Sequence, residues 1–302
     1  MKVLHTGMPE EIATGIRRRG KQFSVEIVRE TMAMYARTPR SYCPDDIHVL
    51  RDIAYGGDAR QLLDVHVPKQ GLARKPASVL MFVHGGGYLL GNREGRRNIP
   101  DYFAANGYIG VNVTHRLAPQ HRWPAGGLDM GAAVAWVHTH IAEHGGDPGR
   151  IYLMGESAGA FHVATYVFRP ELLPQDNPRV AGAILISGPF LVDTATTNAG
   201  EAAYFGDDRS RWSDIAFTGN ITRTDIPVLL TVAEYDPPHI DKGVVQMIYE
   251  LTMKHGVTPR FRQLTGHNHI SGSLSIGTGD MMLAGEILDF IATNNQRLGA
   301  DD

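Results

Sequence analysis

Several short stretches of this chain carry residue types whose spacing could do chemistry. Residues 152–161 read YLMGESAGAF, in which Gly155-Glu156-Ser157-Ala158-Gly159 fits the pattern G-x-S-x-G. A serine in that pattern sits on a sharp strand-to-helix turn with its hydroxyl lifted clear of the backbone, as a nucleophile requires. The flanking glycines have a physical reason, because the strained turn brings strand and helix too close for side chains at those positions. Upstream, the run SVLMFV leads into His84-Gly85-Gly86-Gly87-Tyr88. Such a turn bares backbone N–H groups and can serve as an oxyanion hole. A phosphate-binding loop is the competing reading, but the chain has neither G-x-G-x-x-G nor GKS or GKT.

A serine nucleophile needs a base, and the base needs an orienting acid. The apolar run IPVLLTVA ends in Glu234-Tyr235-Asp236-Pro237-Pro238. Asp236 is preferred over Glu234, since the two prolines fix a turn that lifts it to the rim of a sheet. Two candidate bases, His267 and His269, follow the run PRFRQL, and His269 is preferred. The chemistry so assembled is acyl transfer, for which no metal and no cofactor is expected. Among neighbouring residues, Glu156 is read as bonded to an adjacent loop, and Arg116 with Asp129 as a brace. Asp207 and Asp208 are read as solvated rather than cation-binding. Tyr88, Trp123 and Trp212 are candidates to line a substrate pocket, with core packing as the plainer alternative for the tryptophans.

These residues need a scaffold, and the hydropathy pattern supplies one. SVLMFVH, YIGVNVT, RIYLMG, VAGAILIS and IPVLLTVA are nearly continuous apolar runs, as expected of strands buried on both faces of a parallel sheet. PRFRQL is a weaker sixth. Helix-length segments at 94–106, 126–144, 158–168 and 239–255 separate most of them, and a last helix is expected near 279–295. IHVLRDIAY and QLLDVHVP, divided by Gly56-Gly57-Asp58, read as an antiparallel edge. The alternation predicts an α/β fold with a mostly parallel central sheet, helices on both faces and a small helical cap. Residues 1–302 read as one domain, with cap contributions from 1–40 and from the long connection 188–225.

Composition narrows the function classes. The chain of 302 residues carries a formal net charge of −3, so no basic excess points to a nucleic-acid partner. Arg17-Arg18-Arg19 reads as a solvated helix face. The single Cys43 excludes an internal disulfide and a cysteine-rich zinc site. The start lacks the apolar centre of a signal peptide, and no run approaches a membrane span, so a soluble, cytoplasmic protein without a membrane partner is expected.

From about Ile53 to the last helix, the sequence resembles the hormone-sensitive-lipase-like carboxylesterases of the α/β-hydrolase superfamily. The resemblance rests on HGGGYLLGNRE, HRLAPQHRWPAGGLD, GESAGA, AEYDPP and GHNHIS, with His115 standing where the family's second motif usually has tyrosine. LDVHVP and HNH are also similar to the feruloyl-esterase-like and arylformamidase-like branch. The resemblance implies the chain order nucleophile, acid, base: Ser157, Asp236 and His269. It also implies an oxyanion hole made by the N–H groups of Gly86, Gly87 and Ala158. The activity it implies is cleavage of small-molecule esters of small to medium acyl groups, with arylformamidase-like or other amide hydrolysis as the alternative. A homodimer is a further family expectation.

Overall fold

The run ASVLMFV shows how the sequence builds the core. All seven residues of β3 (Ala77–Val83) are buried. Val79, Met81 and Val83 join one hydrophobic cluster, and Leu80 and Phe82 join another on the opposite face. Successive strand side chains point to opposite faces, so a strand covered on both sides has to be apolar throughout. The same alternation recurs in β5, where Ile151 and Leu153 face one cluster and Tyr152 and Met154 the other. Fully burying a side chain of this size contributes about 1.5–3 kcal/mol.

The computed structural model describes residues 7–72, 76–193, 195 and 197–299. Besides β3, its strands are β1 (Ile47–Ala54), β2 (Leu62–Pro68), β4 (Ile109–Thr114), β5 (Gly146–Glu156), β6 (Gly182–Ile186), β7 (Val228–Tyr235) and β8 (Arg260–Asn268). They form one sheet in the order β1-β2-β4-β3-β5-β6-β7-β8. β1 pairs antiparallel with β2, and β2 with β4. Every other pairing is parallel. The antiparallel edge and the mostly parallel sheet are therefore as expected.

The helices are α1 (Glu10–Arg19), α2 (Val25–Ala36), α3 (Asn98–Ala105), α4 (Ala125–His140), α5 (Ala158–Phe168), α6 (Ala199–Phe205), α7 (Trp212–Ile215), α8 (Pro238–Tyr249), α9 (Ser271–Ser275) and α10 (Met282–Arg297). α4, α5 and α8 cover one face of the sheet, while α3 and α10 cover the other. A third, smaller cluster joins Ile12 and Ile16 of α1 and Tyr35 of α2 to Ile270 and Leu274 beyond β8. It docks the N-terminal helices at the end of β8. Of the segments expected to form a cap, residues 1–6, 194 and 196 lie outside the described residues. Among the described residues no helix is long and apolar enough to cross a membrane.

One element differs from the sequence reading in a way that matters. The weak run PRFRQL begins a strand that continues through Asn268, because Tyr235 pairs with Asn268 across an irregularity after Ala233. His267 is consequently in β8 itself, and only His269 has passed its end.

Candidate active site

The G-x-S-x-G segment makes the turn its composition calls for. β5 ends at Glu156, α5 begins at Ala158, and Ser157 between them has φ 54° and ψ −124°. Left-handed backbone at a non-glycine residue costs of order 1–3 kcal/mol, and surrounding structure must hold it. Here the Ser157 N–H donates to Ile186 O at 2.8 Å, and the Ala160 N–H donates to Ser157 O at 2.9 Å. All eleven residues of α5 are buried. A Cβ on Gly159 would stand 2.4 Å from Val83 O, and one on Gly155 would stand 2.4 Å from Gly159 O. Neither position admits any other residue without displacing backbone.

Two further strand ends bring their residues to this serine. The Ser157 Oγ is 2.9 Å from His269 Nε2, and His269 Nδ1 is 2.6 Å from Asp236 Oδ1. Asp236 is fully buried, and its other carboxylate oxygen accepts from the Ser187 hydroxyl at 2.6 Å and the Ala233 N–H at 2.7 Å. The carboxylate is thus fixed from both sides, which sets the imidazole orientation. Burial pulls the His269 pKa down, but the charge and hydrogen bond of Asp236, with Glu156 adding, outweigh this and leave it above its ordinary value.

Glu234 and His267, the less preferred candidates, have other partners. Glu234 accepts from the Gly266 N–H at 2.7 Å and so props β8 just ahead of the histidines. His267 is fully buried, with Nδ1 2.9 Å from Ser271 Oγ and Nε2 3.1 Å from Asp280 Oδ2. That second contact is at ion-pair distance without hydrogen-bond alignment.

The glycine turn after β3 lies against the elbow: a Cβ on Gly85 would be 2.9 Å from Glu156 O and 3.0 Å from the Ser157 side chain. Gly86 has φ 127°, and a Cβ there would strike Leu90 O at 2.0 Å. Among the described residues the Gly86 and Gly87 N–H groups have no protein acceptor. Ala158 is the first residue of α5, where no helical carbonyl reaches the N–H. The N–H groups of Gly86, Gly87 and Ala158 are therefore without a protein acceptor among the described residues.

The supporting residues fall largely as read. Glu156 takes the Ser273 hydroxyl and lies 3.2 Å from Arg96 Nε. Arg116 meets Asp129 through its backbone N–H and Nε, both at 2.8 Å. Exposed Asp207 pairs with Arg122 at 3.0 Å. The pocket reading of Tyr88 and Trp212 needs correction, because each is only 2% exposed. Tyr88 stacks on Tyr204 at 4.6 Å, and the Trp212 indole N–H donates to Gly206 O while its ring meets Phe205. Their apolar area is committed to the core.

Two features escaped the sequence reading. Ser187, the second support of Asp236, lies in no recognisable motif. A buried histidine stack, with His84 over His115 at 4.2 Å and His162 edge-on to His115 at 4.6 Å, ties the glycine turn to α5. Three histidines so far apart in the chain carry no local signal.

With this geometry in place, comparison with known proteins is direct. Residues 80–271 match a family described by the alpha/beta hydrolase fold, and the chain belongs to that family. Esterase LipC of Mycobacterium tuberculosis is 40% identical over 114 residues, covering 36% of this chain and 27% of LipC. Carboxylesterase NlhH of the same organism is 35% identical over 136 residues, covering 45% of this chain and 42% of NlhH. The matches thus span less than half the length of either relative. Among solved structures, esterase B from Lactobacillus rhamnosis superposes with a TM-score of 0.76 at 18% identity, covering 90% of this chain and 93% of that one. At that identity the likeness is one of fold.

Proposed function

We propose that this protein is a serine carboxylesterase that cleaves esters of small to medium acyl groups through an acyl-enzyme. The observation that carries the reading is the unbroken chain from Ser157 Oγ through His269 to Asp236. His269 Nε2 takes the Ser157 proton as the oxygen attacks the ester carbonyl. Asp236 holds the proton-bearing Nδ1 and stabilises the imidazolium. The N–H groups of Gly86, Gly87 and Ala158 receive the developing oxyanion, each such donor contributing about 3 kcal/mol to the transition state. His269 then gives its proton to the leaving alcohol oxygen as the carbon–oxygen bond breaks. Water enters, loses a proton to His269 and displaces Ser157, releasing the acid.

The limited acyl size is proposed because α6, within the cap segment 188–225, lies against the glycine turn, where a Cβ on Gly200 would stand 2.1 Å from Gly87 O. Ester rather than amide is favoured by the names of the relatives, an esterase and a carboxylesterase. The test is a panel of p-nitrophenyl esters from acetate to dodecanoate, assayed beside N-formylkynurenine. The expected result is turnover greatest at short and medium chains, with the formamide slower. A formamide kcat/KM far above that of every ester would instead make the protein an arylformamidase-like hydrolase.

A further inference from the structure

The chain passes from α1 to α2 on residues 20–24, directly beside the catalytic imidazole. The helices on either side are anchored, since Ile12, Ile16 and Tyr35 are buried against Ile270 and Leu274. The connector adds no residue to that cluster. Phe23 within it is 51% exposed, yet its ring stands edge-on to the His269 ring with centroids 4.8 Å apart and an interplanar angle of 77°. Half exposed, the ring contributes little to the core. Gly20, with φ 58° and open space around its Cα, turns the chain out of α1. Lys21 then reaches across to Asp241 of α8, tethering the connector over the site. On the side away from solvent Phe23 closes, with Gln22, Ile27, Val28 and Thr31, against Asn268 and His269, leaving no room for a water molecule between them.

The direction of the chemistry gives this placement a meaning. One ring nitrogen of His269 is taken by Asp236 and the other faces Ser157. On the triad reading, the proton on Nε2 goes to the leaving oxygen, so the departing alcohol must sit against this imidazole. Phe23 packs on the same ring and offers the remainder of its surface to whatever occupies that space. Aromatic rings pair favourably edge-to-face or offset, and the contact displaces water from both. We propose that Phe23 is a specificity-determining wall of the leaving-group subsite, held over His269 by the Lys21–Asp241 tether and selecting flat aromatic alcohols over small alkyl ones. This rests on the triad reading above and adds to it which half of the substrate the N-terminal connector reads.

The experiment keeps the acyl group constant and changes the alcohol: kcat/KM for phenyl acetate and ethyl acetate, with wild type, Phe23→Ala, Phe23→Tyr and Lys21→Met. The phenyl-to-ethyl ratio is expected to fall about tenfold in Phe23→Ala, to fall less in Lys21→Met, and to be kept in Phe23→Tyr. The acid limb of the phenyl acetate pH profile should move to higher pH in Phe23→Ala, because part of the burial that depresses His269 is removed. Equal losses on both esters with an unmoved acid limb would make Phe23 a structural residue and overturn the proposal. A wild-type protein that hydrolyses neither ester and takes no organophosphonate at Ser157 would overturn the triad reading and this proposal with it. The first failure shows in the variant ratio, the second in the unmodified protein.

Discussion

Two histidines, two residues apart, each lie against a buried aspartate and a serine, and only one set has the makings of a catalyst. His269 turns Nδ1 to Asp236 and Nε2 to Ser157, whose hydroxyl stands on a strained elbow. His267 turns Nε2 to Asp280 and Nδ1 to Ser271. The Ser271 hydroxyl is fully enclosed and already engaged: it accepts the Asn268 N–H at 2.8 Å and lies 3.3 Å from Asn268 O. Ser271 is fully buried, so no carbonyl carbon can approach it. Serine, histidine and acid in contact are therefore insufficient. What separates the two sets is where the serine points and what lies around the space in front of it. We read the inner set as a structural clamp that fixes the end of β8, so that His269 leaves it at a defined place.

Replacing the outer serine or histidine gives the largest expected effect. Ser157→Ala and His269→Ala should each lower kcat for p-nitrophenyl acetate by at least about 10⁴-fold, and the double variant should be little worse than either, because the residues act as a unit. Unchanged circular dichroism would show that the fold survives. Asp236→Asn should cost about 10³–10⁴-fold by releasing the imidazole from its productive tautomer. Ser187→Ala, which removes one of two supports of that carboxylate, should cost only about tenfold.

For the inner set the expectation is inverted. His267→Ala leaves Asp280 buried without its partner and should cost about 3 kcal/mol of stability, read as a fall in Tm of roughly 5 °C. Its kcat/KM, measured well below that Tm, should stay within about tenfold of wild type. A loss as deep as that of His269→Ala, with Tm unchanged, would exchange the roles of the two histidines.

Titration gives the mildest expected effects. His269 acts as a base only when neutral, and its pKa is raised, so the acid limb of kcat/KM should lie above the ordinary value of 6.5. The same raised pKa adds stability that is full below 6.5 and lost as pH rises through the folded value. His84, His115 and His162 oppose this. Burial lowers all three, and the neighbouring ring of His115 lowers His84 and His162 further. Protonation is then easier in the unfolded chain, so their cost is absent above 6.5 and grows as pH falls below it. Tm measured between pH 8 and pH 5 should decline on the acid side, and less so in His162→Phe.

What was legible in the sequence follows from how local each determinant is. The elbow and the glycine turn are dictated within a few residues, because close backbone approach leaves no other residue at Gly159 or Gly86. The sheet was legible because strands such as β3 must be apolar on both faces. Asp236 and His269 could be narrowed to two candidates each, since position after a strand is local while hydrogen bonding is not. The choice against Glu234 and His267 depends on partners far along the chain, Gly266 and Asp280. The histidine stack, the Ser187 support and the Phe23 contact join segments through space and leave no periodicity to read. Tyr88 and Trp212 show the reverse error. An aromatic residue near a motif looks the same in sequence whether it lines a pocket or, as here, fills the core.

The central claim is that Ser157, and not the similarly partnered Ser271, is the activated nucleophile. The most direct measurement is labelling of the native protein with a fluorophosphonate, followed by peptide mass spectrometry. The account predicts one adduct per chain on the peptide carrying Ser157, absent in Ser157→Ala and strongly slowed in His269→Ala. No adduct on the wild-type protein, or an adduct on the peptide carrying Ser271, would contradict it.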